Sequence, residues 1–177
     1  LVHDGNTMQE VITVAKALEK AGITLLNTGI GWHEARIPTI VTSVPRAAFV
    51  EYTAEVKKNV TVPVIASNRI NMPDTAEEIL ASGQADVVQM ARPLLADAFW
   101  VNKTATNRVD EINTCIACNQ ACLDHTFKNQ RATCLVNPRA GYETELVYVK
   151  TKKPKRIAVV GGGVAGMSAA TVAAGRG

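Results

Sequence analysis

The stretch from Val62 to Arg92, VPVIASNRINMPDTAEEILASGQADVVQMAR, reads as strand, helix, strand. Val62 to Ser67 is a short apolar run of buried-strand type, broken only by Pro63 near its start. Asp74 and Glu77 have capping-box spacing, and they predict a helix that ends at Gly83. Asp86 to Met90 predicts the next strand. Working outward, Thr7 and Glu10 repeat the capping-box spacing, and Met8, Val11, Ile12, Ala15 and Leu18 follow the face of a helix that Gly22 stops. Ile23 to Asn27 predicts a strand, and Arg46 to Asn59 a second helix. Near-continuous apolar strands alternating with helices mean parallel β/α units, covered on both faces. A (β/α)8 barrel and a doubly wound sheet both fit that alternation.

The strand ends tip the balance. Each apolar run finishes in polar or charged residues: Asn27-Thr28-Gly29 with Trp32-His33-Glu34, then Asn68-Arg69, then Ala91-Arg92-Pro93. In a barrel the carboxyl ends of the strands build the active site, and the last two strands often hold a phosphate. Arg69 and Arg92 suit that place, so residues 1–113 are expected to be the C-terminal half of a TIM (β/α)8 barrel. A guanidinium there holds a flavin phosphate or stabilises a reduced flavin; on pattern alone the two arginines also read as surface pairs. His33 at a barrel mouth can donate a proton near neutral pH, although a lone histidine is more often structural.

All four cysteines fall in one segment, with spacing C-x2-C-x3-C-x11-C at Cys115, Cys118, Cys122 and Cys134. Disulfide scaffolds scatter their cysteines, so the clustering points to metal ligation in a reducing compartment. Three close thiolates and a fourth from a nearby turn suit a [4Fe-4S] cluster. Structural zinc usually pairs two C-x2-C knuckles, which the x3 gap and the lone fourth cysteine fit poorly. Pro138 lies four residues beyond Cys134, so the C-P ending of the two-cluster ferredoxins is absent. The cluster segment is set at 114–140, followed by a linker at 141–155 with a possible extended piece at 145–150.

At 156–177 a new dinucleotide domain is expected to open. Ile157 to Val160 reads as a buried parallel strand, and Gly161, Gly163 and Gly166 make G-x-G-x-x-G before an Ala-rich helix. Gly161 permits the turn, Gly163 lets backbone approach a pyrophosphate, and Gly166 permits close helix–strand packing. The acidic ribose ligand expected about 20 residues on would lie beyond Gly177, so the motif leaves FAD and NAD(P) open. A Gly-rich turn without a ligand is the plain alternative.

Composition limits the rest. A net charge of +3, gathered largely in Lys150, Lys152, Lys153, Lys155 and Arg156, reads as a solvated linker rather than a nucleic-acid surface. No apolar run reaches the roughly 18 residues of a membrane span. The start at Leu1 has no basic n-region and is not a signal peptide. Both ends read as cuts in a longer chain, so an inactive, poorly folding fragment is expected, because a half barrel leaves strand edges unpaired. The setting expected is cytoplasmic.

Asn27 to Arg36, Asn68 to Ile70, Met90 to Pro93, Cys115 to Cys122, Cys134 to Arg139 and the Gly161 to Gly166 turn together resemble the bacterial NADPH-dependent 2,4-dienoyl-CoA reductases. The wider family includes 2-enoate reductases and trimethylamine dehydrogenase, which are the alternatives; a non-catalytic electron-transfer or zinc-binding module is the alternative of another class. The resemblance covers essentially the whole chain. It implies an Old Yellow Enzyme-like FMN barrel, a [4Fe-4S] segment and a Rossmann-like FAD domain served by NADPH. It implies His33 as proton donor, with His33, Glu34, Ala35 and Arg36 lining an acyl-CoA thioester pocket. Arg69, Ala91 and Arg92 would touch FMN. Cys115, Cys118, Cys122 and Cys134 would ligate the cluster, and Gly161, Gly163, Ala165 and Gly166 would meet FAD. The implied reaction reduces 2,4-dienoyl-CoA in β-oxidation of unsaturated fatty acids.

Overall fold

Thr7 starts the first helix as its sequence predicts. Its side chain accepts from the Glu10 backbone N–H, and the Glu10 carboxylate accepts from the Thr7 N–H at 2.7 Å. The computed structural model describes residues 3–32 and 34–177 of the chain. They form two compact units, Leu1–Ala140 and Gly141–Gly177.

In the first unit, helices α1 (Met8–Lys20), α2 (Val50–Lys57) and α3 (Pro73–Ala81) alternate with strands β1 (Leu26–Asn27), β2 (Val64–Ala66) and β3 (Val87–Val88). The strands pair in parallel in chain order β1-β2-β3, with Leu26 opposite Val64 and Ile65 opposite Val87. The regular pieces are shorter than the apolar runs predict, although backbone pairing runs past them: the Thr28 N–H donates to the Ile65 carbonyl at 3.2 Å and the Gln89 N–H to the Ala66 carbonyl at 2.8 Å. Two carboxylates brace the strand entries. Glu19 accepts from the Thr61 and Val62 N–H groups at 2.6 and 3.0 Å. Asp86 accepts from the Val64 N–H at 2.9 Å while paired to Lys57 at 2.8 Å.

The second expected capping box does not form. Pro73 already occupies the first turn of α3, its N-cap is Met72, and Asp74 lies inside the helix, accepting from the Thr75 N–H. Pro at that position presets φ and has no N–H to satisfy, so a helix can start there without a side-chain cap. Gly83, at φ +71°, ends the helical turn as predicted. The second helix begins at Val50, later than Arg46, because residues 45–49 form turns in which the Ala47 N–H donates to the Arg69 carbonyl at 3.0 Å.

The connector after β3 contributes to the core. Short helices α4 (Arg92–Ala96) and α5 (Trp100–Ala105) place Trp100, 5% exposed, among Val50, Ala66, Ile70, Ile79 and Ile112. Asp97, 3% exposed, ties this turn together. It accepts from Lys103 Nζ at 2.6 Å, from the Phe99 N–H at 2.9 Å and from the Asn113 N–H at 2.9 Å. Burial by itself would raise its carboxyl, but the Lys103, Asn113 and Phe99 donors outweigh it and hold it below the ordinary value. The stability it contributes is therefore present above the unfolded carboxylate value of about 3.9 and is lost as pH falls through the lower folded value. Asp97→Asn is expected to cost about 3–5 kcal/mol at neutral pH, as when one partner of a buried pair is removed, and to flatten the acid limb of the melting curve. Thermal unfolding followed from pH 7 to 2 checks both.

In the second unit, helix α7 (Val164–Arg176) forms as predicted, after the short α6 (Leu123–Phe127) of the first unit. The expected strand Ile157–Val160 does not: Ile157 is 63% and Val160 98% exposed, and neither pairs in a sheet. A strand needs a neighbour for its N–H and C=O groups, and among the described residues none lies beside it. The expected extended piece at 145–150 likewise has no strand pairing.

Candidate functional site

The carboxyl ends of the three strands are cross-linked by short polar side chains. Thr28 Oγ1 donates to the Ile65 carbonyl at 2.7 Å, and Asn27 Nδ2 donates to Gln89 Oε1 at 2.5 Å. Ser67 Oγ donates to the Thr28 carbonyl at 2.5 Å. Immediately past β2, Asn68 and Arg69 both take the left-handed conformation, at φ +72° and +57°. Asn tolerates this; a long side chain does so only where its surroundings impose it. Here Asn68 Nδ2 donates to the Ile30 carbonyl at 2.9 Å and Arg69 Nε to the Val44 carbonyl at 2.8 Å.

Arg69 and Arg92 lie within electrostatic reach of each other. Burial first, then the nearby Arg92 cation, lowers the Arg69 guanidinium; Cys115 opposes this and Arg46 adds to it. Neither arginine has a carboxylate partner among the described residues. Two neighbouring guanidiniums without an acid suit an anion such as a flavin phosphate. Ala91 is exposed at the start of α4.

The four cysteines also come together. Cys115, Cys118, Cys122 and Cys134 line one recess with Arg92 and Leu95. The fourth is drawn in through the backbone: the Thr133 N–H donates to the Ala121 carbonyl at 2.7 Å, beside Cys122. Burial raises the Cys134 thiol, backbone groups of Val136 and Asn137 lower it, and Cys115 and Cys118 raise it. Among the described residues, no three Cys, His, Asp or Glu side chains converge closely enough for a single metal ion.

Residues that spacing did not single out hold this segment against the β/α layer. Asn71 Nδ2 donates to the Cys115 carbonyl at 2.9 Å, and Thr42 Oγ1 donates to the Ile116 carbonyl. Asn137 Nδ2 donates to the Leu95 carbonyl at 3.0 Å. Asn119 Nδ2 and Arg92 Nη1 both donate to the Ile40 carbonyl, at 3.0 and 2.7 Å, and Arg92 Nη1 also donates to Asn119 Oδ1 at 2.8 Å. Asn119 carried one signal in the sequence: it follows a cysteine at φ +63°, a conformation Asn adopts more readily than most residues. The others depend on contacts far apart in the chain.

The expected proton donor His33 lies outside the described residues. Of its neighbours in the expected thioester pocket, Ala35 is buried, while Glu34 and Arg36 are exposed.

The glycine turn has the expected geometry. Gly161 sits at φ +105°, and a Cβ on Gly166 would come 2.0 Å from the Gly161 carbonyl oxygen. A Cβ on Gly163 would meet open space, leaving that backbone free for a ligand at the start of α7 beside Ala165. Gly166→Ala is expected to cost about 1–3 kcal/mol through overpacking, whereas Gly163→Ala, whose Cβ would meet open space, is expected to keep the fold. Melting temperatures of the two variants, measured on the complete protein, check the difference.

Residues 1–111 match the NADH:flavin oxidoreductase / NADH oxidase family, and the chain belongs to it. That makes it part of a family of FMN-dependent oxidoreductases. A metal reductase of Desulforamulus reducens is 45% identical over 97% of this chain and 26% of the relative. An NADH oxidase of Thermoanaerobacter brockii is 42% identical over 99% of the chain and 28% of the relative. The solved complex of 2-naphthoyl-CoA reductase with 2-naphthoyl-CoA superposes with a TM-score of 0.93 at 37% identity, over 98% of this chain and 27% of that one. The chain spans about a quarter of the length of these relatives. Its structural neighbours are TIM-barrel flavoenzymes, in keeping with three parallel strands in chain order. No helix among the described residues is long and apolar enough to cross a membrane.

Proposed function

We propose that this chain carries the electron-relay portion of an NADPH-dependent 2,4-dienoyl-CoA reductase acting in β-oxidation of unsaturated fatty acids in the cytoplasm. The observation that carries the reading is the single recess where four thiols meet Arg92 at the carboxyl end of a parallel sheet. When bound, FMN, a [4Fe-4S] cluster and FAD supply the hydride and single-electron chemistry between NADPH and the dienoyl chain.

The residues fit these groups. Four thiols lining one recess suit a [4Fe-4S] cluster, which takes four cysteine thiolates. Arg69, beside Arg92 and without an acid, offers charge for the FMN phosphate, with Ala91 at the same strand end. Gly161, Gly163, Ala165 and Gly166 expose backbone at the start of α7 to the FAD pyrophosphate. His33 holds the proton delivered to the substrate, and Glu34, Ala35 and Arg36 line the thioester pocket. Similarity to a protein that binds a naphthoyl-CoA thioester supports a CoA-ester substrate.

The test compares NADPH oxidation by the complete protein with 2,4-dienoyl-CoA, a free enoate and trimethylamine side by side. The reading expects the dienoyl-CoA to win clearly, and His33→Ala to slow its reduction while NADPH still reduces the flavins. Preference for enoate or amine, or an unchanged rate in the His33 variant, sinks it.

A further inference from the structure

We propose that Arg92, oriented by Asn119, is the charge that sets the reduction potential of the cluster in the cysteine recess; this rests on the cluster reading above. Among the described residues, Arg92 is the one charged side chain in the recess wall, which is otherwise cysteine, Asn119 and apolar residues such as Leu95, Ala121 and Leu135. Its placement is fixed by a closed triangle of hydrogen bonds. Nη1 reaches the Ile40 carbonyl and Asn119 Oδ1, and Asn119 Nδ2 returns to the same carbonyl. Asn119 is joined directly to Cys118, so the arginine is tied to the ligand loop itself.

The charge is not neutralised locally. No carboxylate pairs with Arg92 among the described residues, and Arg69 adds a second positive group nearby. Apolar walls lower the local dielectric and strengthen what charge remains. Reduction adds one electron and therefore one negative charge to a cluster. A fixed cation beside it stabilises the reduced form, and net charge and solvent exposure are the levers that set such potentials. Arg92 is thus a positioning and tuning residue, distinct from the ligands.

The complete protein is purified without oxygen and assayed for iron and acid-labile sulfide, and its cluster is titrated with dithionite under electron paramagnetic resonance. Wild-type protein without labile sulfide would sink the cluster reading itself. With the cluster present, Arg92→Gln is expected to lower the reduction constant about tenfold, which is 59 mV for a one-electron couple. Arg92→Lys, which keeps the charge, is expected to restore most of the shift. Asn119→Gly tolerates the same backbone conformation and frees the arginine; it is expected to move the potential the same way by less. If the Gln variant does not assemble the cluster, the Gly variant decides alone. An unchanged potential in the variants measured, or a Lys variant as displaced as Gln, overturns the assignment.

Discussion

With the proposed cluster in the cysteine recess, Cys118→Ala in the complete protein is expected to lose nearly all its iron and acid-labile sulfide, and with them the proposed electron transfer from NADPH to substrate. Cys118 lies in the middle of the segment that lines the recess, between Cys115 and Cys122. Changes to mere supporting partners of a metal ligand cost roughly 10–100-fold in affinity. Removing a ligand should exceed that, since the three remaining thiolates leave one corner of the cluster to water. The fold of the first unit should survive, because its core of Val50, Ala66, Ile79 and Trp100 is built elsewhere. Iron, sulfide and circular dichroism on the same sample check the claim. Full iron and sulfide in this variant would remove Cys118 from the ligand set.

Ala117→Val is expected to do comparable damage without touching a ligand. Ala117 stands one residue before Cys118, is 4% exposed and adopts φ +53°. An L-residue in that conformation costs roughly 1–2 kcal/mol, and a β-branched one is a true outlier. Two extra methyl groups would also enter a closely packed wall, adding roughly 1–3 kcal/mol. The backbone must then leave the left-handed region, and Cys115 and Cys118 would no longer face the same recess. Ala117→Gly relieves the conformation and is expected to keep the cluster and hold or raise the melting temperature. Iron per polypeptide in the two variants decides: a fully loaded Val variant would mean that the turn does not set the ligand geometry.

Several features were legible because they are local. The Thr7–Glu10 cap, the Gly83 stop and the Gly161–Gly166 turn are each settled within a few residues, by one hydrogen bond or one steric contact. The cysteine spacing works the same way: three thiols on a short loop cannot stray far apart. The Asp74–Glu77 spacing failed although it was equally local, because Pro73 in the first turn set the N-cap at Met72, two residues earlier. The strand at 157–160 failed because a strand is defined by a neighbour, and apolarity alone does not supply one.

The sequence by itself determined the alternation of parallel β/α units, the turn types and the ligand-type residues. These depend on side-chain periodicity, backbone φ preference and chemical identity, all carried by neighbouring residues. Only the tertiary structure decided what those residues face. It turned Arg92, placed by its strand end as a flavin contact, into a wall of the cysteine recess as well. It made Asp97 a buried anchor within the connector that leads to the cysteine segment, and it recruited Thr42, Asn71 and Asn137 to hold that segment in place. Each of these roles joins residues 16 to 74 positions apart. Their hydrogen bonds form only after loop closure has brought the partners together, and no local pattern encodes which partners those will be.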